Sequence, residues 1–91
     1  MVRGFRGRKF RKASTIVAMI RESQPLKKLG ENIRNLRKEM NLSQEEFSHL
    51  AEIDRSYVGQ IERGERNISF SNLYKIAHAL KVSVSKLTEG V

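Results

Sequence analysis

Residues 54–67 read Asp-Arg-Ser-Tyr-Val-Gly-Gln-Ile-Glu-Arg-Gly-Glu-Arg-Asn. Wound as a helix, this segment turns Val58 and Ile61 to one side. Arg55, Ser56, Gly59, Gln60 and Arg63 fall on the opposite side, because steps of one, three, one and three residues share a stripe. The stripe holds hydrogen-bonding groups and lacks the Glu/Lys mixture of an idle solvated face. Arg can bond guanine bidentately, Gln can bond adenine, and Ser can serve either polarity. Arg55, Ser56 and Gln60 are therefore candidate base-contacting residues. Gly59 costs about 1 kcal/mol in a helix relative to Ala, which close approach of the helix to a groove would offset. Arg63 has two readings, a phosphate contact or a partner for the carbonyls ending its own helix.

Catalytic and metal chemistry find less support. His49 and His78 are distant in sequence, and no acid sits at ligand spacing from both. Ser, His and Asp occur without the order of a nucleophile, base and orienter. No catalytic residue, metal site or cofactor is assigned, and the chain reads as a non-enzyme. The absence of cysteine excludes disulfides and thiolate metal sites and fits a reducing, cytoplasmic setting.

The stripe must be held by other elements, and the chain supplies helical spacing after Pro25. Leu29, Ile33, Leu36 and Met40 share one face of a first helix, closed by Asn41. Gly30 weakens that helix. Ser43-Gln44-Glu45-Glu46 is a capping box for a second helix, with Leu42 able to staple onto Phe47 and with Phe47, Leu50 and Ala51 inward. After a break at Glu52-Ile53, Asp54 caps the third helix and Gly64 stops it. Ser69 caps a fourth, carrying Phe70, Leu73, Ile76, Ala77 and Leu80. Phe70 and Tyr74 read as core or dimer contacts rather than base-stacking platforms. Ser83 opens a last turn with Leu87. The fold class is all-α, a compact five-helix bundle with an N-terminal extension.

Ninety-one residues suffice for one domain with a small core. The formal net charge of +8 points to a polyanionic partner. Most of the excess lies in residues 1–25, where Arg3, Arg6, Arg8, Lys9, Arg11, Lys12 and Arg21 face Glu22 alone. These residues read as a basic, flexible extension, with a helical turn over Ser14 to Ile20, and residues 26–91 as the DNA-binding domain. The extension admits three readings: an arm that tracks DNA, an extension upstream of a natural start at Met19, or a solvated tail. Ser14, Thr15, Arg21 and Glu22 spoil a secretory-leader pattern, and no apolar run has the length of a membrane span.

Two short helices joined by a tight turn within a bundle are the layout of a helix-turn-helix unit. Residues 29–88 resemble the lambda-repressor-like helix-turn-helix family of phage repressor, Cro and XRE type. The resemblance rests on "IRNLRKEMNLSQEEFSHLA", "DRSYVGQIERGERN" and "LYKIAHALKVSVSKL". The second of these is also similar to the controller proteins of restriction-modification systems. The resemblance implies sequence-specific binding of double-stranded DNA by a transcriptional regulator. It implies a homodimer on a palindromic operator, paired through the fourth helix and the C-terminal turn, with no small-molecule effector. It places Ser43, Gln44, Tyr57, Arg66 and Asn67 at the DNA backbone, with Gln44 also bracing the third helix, and Arg55, Ser56 and Gln60 at bases. It implies a partly buried Arg37–Glu62 ion pair between the first and third helices.

This sequence departs from the family pattern at Glu52, where glycine is frequent. That residue is either strained in a left-handed conformation, at roughly 1 kcal/mol, or the turn relaxes. Ser48 fills the place of a small residue between the two helices. A second reading of the same fold is a protein-interaction module, such as an antitoxin or a coactivator adaptor.

Overall fold

Among the described residues, each helix after the first begins at a side chain that caps it, and four of the five end at a residue turned left-handed. The computed structural model describes residues 24–91; residues 1–23 of the basic extension, including the turn expected over Ser14 to Ile20, lie outside the described residues, and Gln24 and Pro25, read as its end, belong to the first helix. Helix α1 covers residues 24–39, α2 Gln44–Ala51, α3 Arg55–Glu62, α4 Phe70–Ala79 and α5 Val84–Leu87. No strand occurs among the described residues.

The capping expectations hold. Ser43 Oγ accepts from the Glu46 N–H at 3.0 Å while Glu46 Oε1 accepts from the Ser43 N–H at 2.8 Å. Asp54, Ser69 and Ser83 cap α3, α4 and α5 through the amides of Ser56, Asn72 and Lys86. Each cap satisfies an amide that the first helical turn leaves without a partner.

The helix ends repeat one motif. Asn41 (φ 58°), Glu52 (58°), Gly64 (73°) and Lys81 (59°) are all left-handed. Their N–H groups return to Lys38, His49, Ile61 and His78, and the next N–H groups reach Arg37, Ser48, Gln60 and Ala77. This paired closure satisfies two carbonyls at each end. Glu52 therefore takes the strained alternative. Lys81 does the same at a position where the sequence carries no glycine or asparagine signal.

The core forms where the helices cross. Ile33, Phe47, Val58, Ile76 and Leu87, one from each helix, are fully buried. Leu42, expected to staple onto Phe47, is half-buried against the cluster that contains it. Two inward assignments are corrected. Leu50 is 56 % exposed, and the buried residues of α2 are Phe47, Ser48 and Ala51. Two neighbours lie beneath α2, since it packs on both α3 and α4. The small Ser48 lets one of them approach, and Leu50 is rotated away. Phe70 is likewise exposed, at 70 %. Its position opening α4 puts it beyond the turn that carries Ile76 and Ala77 inward.

Gly30 has a purpose that helix propensity hides. It is buried, and a Cβ there would stand 2.5 Å from the carbonyl oxygens of both Ile61 and Glu62. The missing side chain lets α1 lie against the end of α3. Two residues further along α1, Asn32 Nδ2 donates to the carbonyls of Leu87 and Glu89 at 2.9 and 2.8 Å, fastening the C-terminal residues to α1.

Gly30→Ala is expected to lower unfolding stability by about 1–3 kcal/mol, as overpacking does. Glu52→Gly is expected to raise it by about 0.5 kcal/mol, since relief of left-handed strain exceeds the added chain entropy. Urea unfolding of the two variants checks both signs; a neutral Gly30→Ala would mean that α1 does not sit on α3 as described.

Candidate nucleic-acid interface

Helix α3 is buried on one side and open on the other. Val58, Gly59, Ile61 and Glu62 are buried, whereas Arg55, Ser56 and Arg63 are exposed and Tyr57 and Gln60 half-buried. Its position is fixed from behind by an ion pair. Arg37 Nε and Nη2 donate to Glu62 Oε2 and Oε1 at 2.6 and 2.9 Å. The side chains are only 9 % and 3 % exposed. The pair is more deeply buried than the sequence reading held, and it gathers two further groups. Arg37 Nη1 donates to the Leu42 carbonyl at 2.8 Å, and Gln44 Nε2 donates to Glu62 Oε1 at 3.0 Å. Thus α1, the α1–α2 connection, the start of α2 and the end of α3 meet at one guanidinium and one carboxylate. The expected bracing by Gln44 runs through Glu62.

Of the residues singled out by sequence, Ser56, Tyr57, Gln60 and Arg66 line one open groove, together with Asp54 and Asn72. The Arg66 guanidinium lies over the Tyr57 ring, 5.1 Å from its centroid. This cation–π contact holds a charge from the loop beside the helix. Arg55 opens onto the other side of α3's start, where Glu45, Ser48, His49, Glu52, Ile53 and Asp54 complete a second groove. Asn67 is exposed on the loop after α3. Ser43 is exposed at the start of α2, its hydroxyl oxygen engaged as the cap. Asn72 was missed by sequence reasoning. The available signal was its place three residues after the Ser69 cap, in the first turn of α4.

One outward assignment changes. Gly59 is covered by its own protein: a Cβ there would meet Arg63 Nη1 at 3.2 Å and Gln44 Oε1 at 3.8 Å. Its small size makes room for those side chains. Arg63 stays outward and engages Glu65 instead of the carbonyls that end its own helix. It pairs with Glu65, Nε to Oε2 at 3.0 Å, on the open surface. Hydrogen bonding to Glu65 raises the Arg63 pKa, and the same bond holds the Glu65 carboxyl below its ordinary range.

Asp54 carries the other perturbed group of the interface. The Ser56 hydroxyl and then the Ser56 amide, both donating to it, hold its carboxyl below the ordinary range. His49 is exposed, and His78 stacks on Tyr74 with ring centroids 6.4 Å apart. Among the described residues no group of three His, Cys, Asp or Glu could hold a metal ion, and no helix is long and apolar enough to cross a membrane.

A family model described as Helix-turn-helix matches residues 33–87. Control protein C.SmaI of Serratia marcescens is 46 % identical over 59 residues, 65 % of this chain and 70 % of that protein. Control protein C.MunI of a Mycoplasma species is 43 % identical over 65 residues, covering 70 % and 88 % of the two chains. Among solved structures, the restriction-modification controller protein C.AhdI of Aeromonas hydrophila superposes with a TM-score of 0.67 at 47 % identity, covering 68 % of this chain and 94 % of that one.

Removing one member of the buried pair, by Arg37→Ala or Glu62→Ala, is expected to cost about 3–5 kcal/mol, because the other charge stays buried without a partner. Arg37→Met with Glu62→Leu is expected to recover most of that loss; chemical denaturation of the two single variants and the double variant checks the coupling. A second expectation concerns acid. Because the folded pKa of Asp54 is depressed, its stabilising contribution is complete above the ordinary carboxyl pKa of about 4. It is lost as pH falls through the lower folded value. Asp54→Asn should flatten that acid limb of the stability–pH profile; an unchanged limb would remove Asp54 as its source.

Proposed function

The chain belongs to the helix-turn-helix family and is a DNA-binding regulator of transcription, and from that premise we propose how it acts. Helix α3 enters the major groove of double-stranded DNA, where Arg55, Ser56 and Gln60 meet base edges. Ser43, Gln44, Tyr57, Arg66 and Asn67 meet the sugar-phosphate backbone and set the register. Phosphate contacts position such a protein and base contacts give it specificity. The observation that carries this reading is the open face of α3. Arg55 and Ser56 stand exposed at its start, with Tyr57, Gln60 and Arg66 in the adjoining groove. The back of the same helix is locked to α1.

Two copies pair through α4 and the C-terminal turn. Phe70 and Tyr74, one turn apart and 70 % and 60 % exposed, and Val91, 51 % exposed, supply apolar surface for that contact. Paired in this way, the two α3 helices reach successive major grooves about 34 Å apart on one face of a palindromic operator. Likeness to C.SmaI, C.MunI and C.AhdI supports a controller of restriction-modification genes, acting through its own concentration and dimerisation. The role is regulatory rather than catalytic, and it is exercised in the cytoplasm.

Selection of bound sequences from a random duplex pool tests the reading, and a two-fold symmetric motif is the expected product. On that motif Arg55→Ala should cost about 1–3 kcal/mol and relax one base preference. Arg66→Ala should weaken binding to all duplexes and lower the salt slope by about one. No enrichment by the wild-type chain would turn the same surface into a protein-docking face.

A further inference from the structure

Serine can read a base as donor or acceptor, and the cap of α3 selects between the two. The amide N–H and the hydroxyl of Ser56 both donate to one oxygen, Asp54 Oδ1, at 2.8 and 2.5 Å. The amide bond is the N-cap on which α3 starts. The hydroxyl bond commits the single proton a serine side chain has. Its acceptor is an ionised carboxylate, which makes it the stronger kind of hydrogen bond. Both side chains are exposed, so the hydroxyl turns lone pairs, and no proton, toward solvent. Docking against a polyanion strengthens the arrangement. A carboxylate brought near phosphates is repelled by them, and keeping two donors on Asp54 offsets that repulsion.

On the reading of α3 as the helix that enters the major groove, we propose that Ser56, oriented by Asp54, accepts a hydrogen bond from the exocyclic amino group of an adenine or a cytosine. It thereby rejects guanine or thymine at that position. In the major groove adenine N6 and cytosine N4 are donors, whereas guanine O6 and N7 and thymine O4 are acceptors. A carbonyl placed opposite Ser56 would face lone pairs unless the hydroxyl left Asp54. The preceding residue has the opposite polarity: Arg55 offers donors alone, which suit guanine. The start of α3 therefore reads a donor-seeking edge and an acceptor-seeking edge at neighbouring points. Asp54, which the sequence marks only as a cap, becomes a positioning residue for specificity.

The test uses the full chain and the duplex it enriches from a random pool, with exocyclic amino groups deleted one at a time. Purine replaces adenine in one arm and pyrimidin-2-one replaces cytosine in the other, which also tells which base is read. At one position in each half-site the deletion should weaken wild-type binding about five- to tenfold, the range of a single neutral hydrogen bond. Ser56→Ala, which keeps the backbone cap on Asp54, should already have lost that factor and should not respond to the deletion. Arg55→Ala, weaker overall, should still respond fully, which separates the effect from general damage to α3. If Ser56→Ala responds like the wild type at every amino position, or if its loss couples to a guanine or thymine, the acceptor assignment is overturned while the DNA-binding reading stands. If the wild-type chain enriches no motif, both fall.

Discussion

The placement of α3 and its open face depends on one buried ion pair. Arg37 and Glu62 are 25 residues apart in sequence and meet in two parallel hydrogen bonds, with both side chains buried. Burying both charges has a desolvation cost close to the attraction they gain, so such a pair adds little net stability over an apolar one. Its directionality is what matters. A planar guanidinium meets a carboxylate in one orientation, and here it also reaches the Leu42 carbonyl while the carboxylate reaches Gln44. The end of α3, the start of α2 and the body of α1 are thereby set relative to one another to within hydrogen-bond tolerance. Gly30 serves the same contact from the backbone side, since only a residue without Cβ lets α1 approach the last carbonyls of α3 so closely.

Around that point the molecule uses several helices too short to persist alone. Helices α2 and α3 have eight residues each and α5 has four, well below the length at which an isolated helix holds in water. They persist because each is capped at its start, most are closed by a left-handed residue, and each delivers a large side chain to the same core. The left-handed Glu52 and Lys81 show that a closure needed by the fold is kept even where the residue is poorly suited to it. The strain is about 1 kcal/mol at each, small against the carbonyl hydrogen bonds and apolar contacts that depend on the turn.

The two sides of α3 illustrate a division between stability and recognition. Val58, Ile61 and Glu62 are spent on holding the helix, and the start of α3 with the adjoining loop is left free to meet a ligand. Charges on this front surface interact with little consequence in the free protein, as exposed pairs do. The Arg63–Glu65 pair is of that kind. The Arg66–Tyr57 contact differs in holding a loop charge in line with the helix, through an aromatic face instead of a carboxylate.

Much of this was legible in the sequence. Helix starts could be read because a cap is a local event: Ser43 and Glu46, Asp54, Ser69 and Ser83 announce themselves within three residues. The polar stripe of α3 followed from spacing, and the family motifs placed Arg37 opposite Glu62. Contacts between distant segments were beyond local reading. Propensity marked Gly30 as a weakness because it cannot see the α3 carbonyls packed against it. Periodicity turned Leu50 inward because it assumes one apolar face, whereas α2 rests on two neighbours at once and buries Ser48 instead. Gly59 was assigned to a DNA groove, and only the folded chain revealed Gln44 and Arg63 lying over it. The sequence by itself determined the helices, their caps and the chemistry offered by α3, all governed by interactions within a few residues. The tertiary structure alone decided which side chains share a groove and what Gly30 and Gly59 face. Those depend on the distances and directions between groups that only packing brings together.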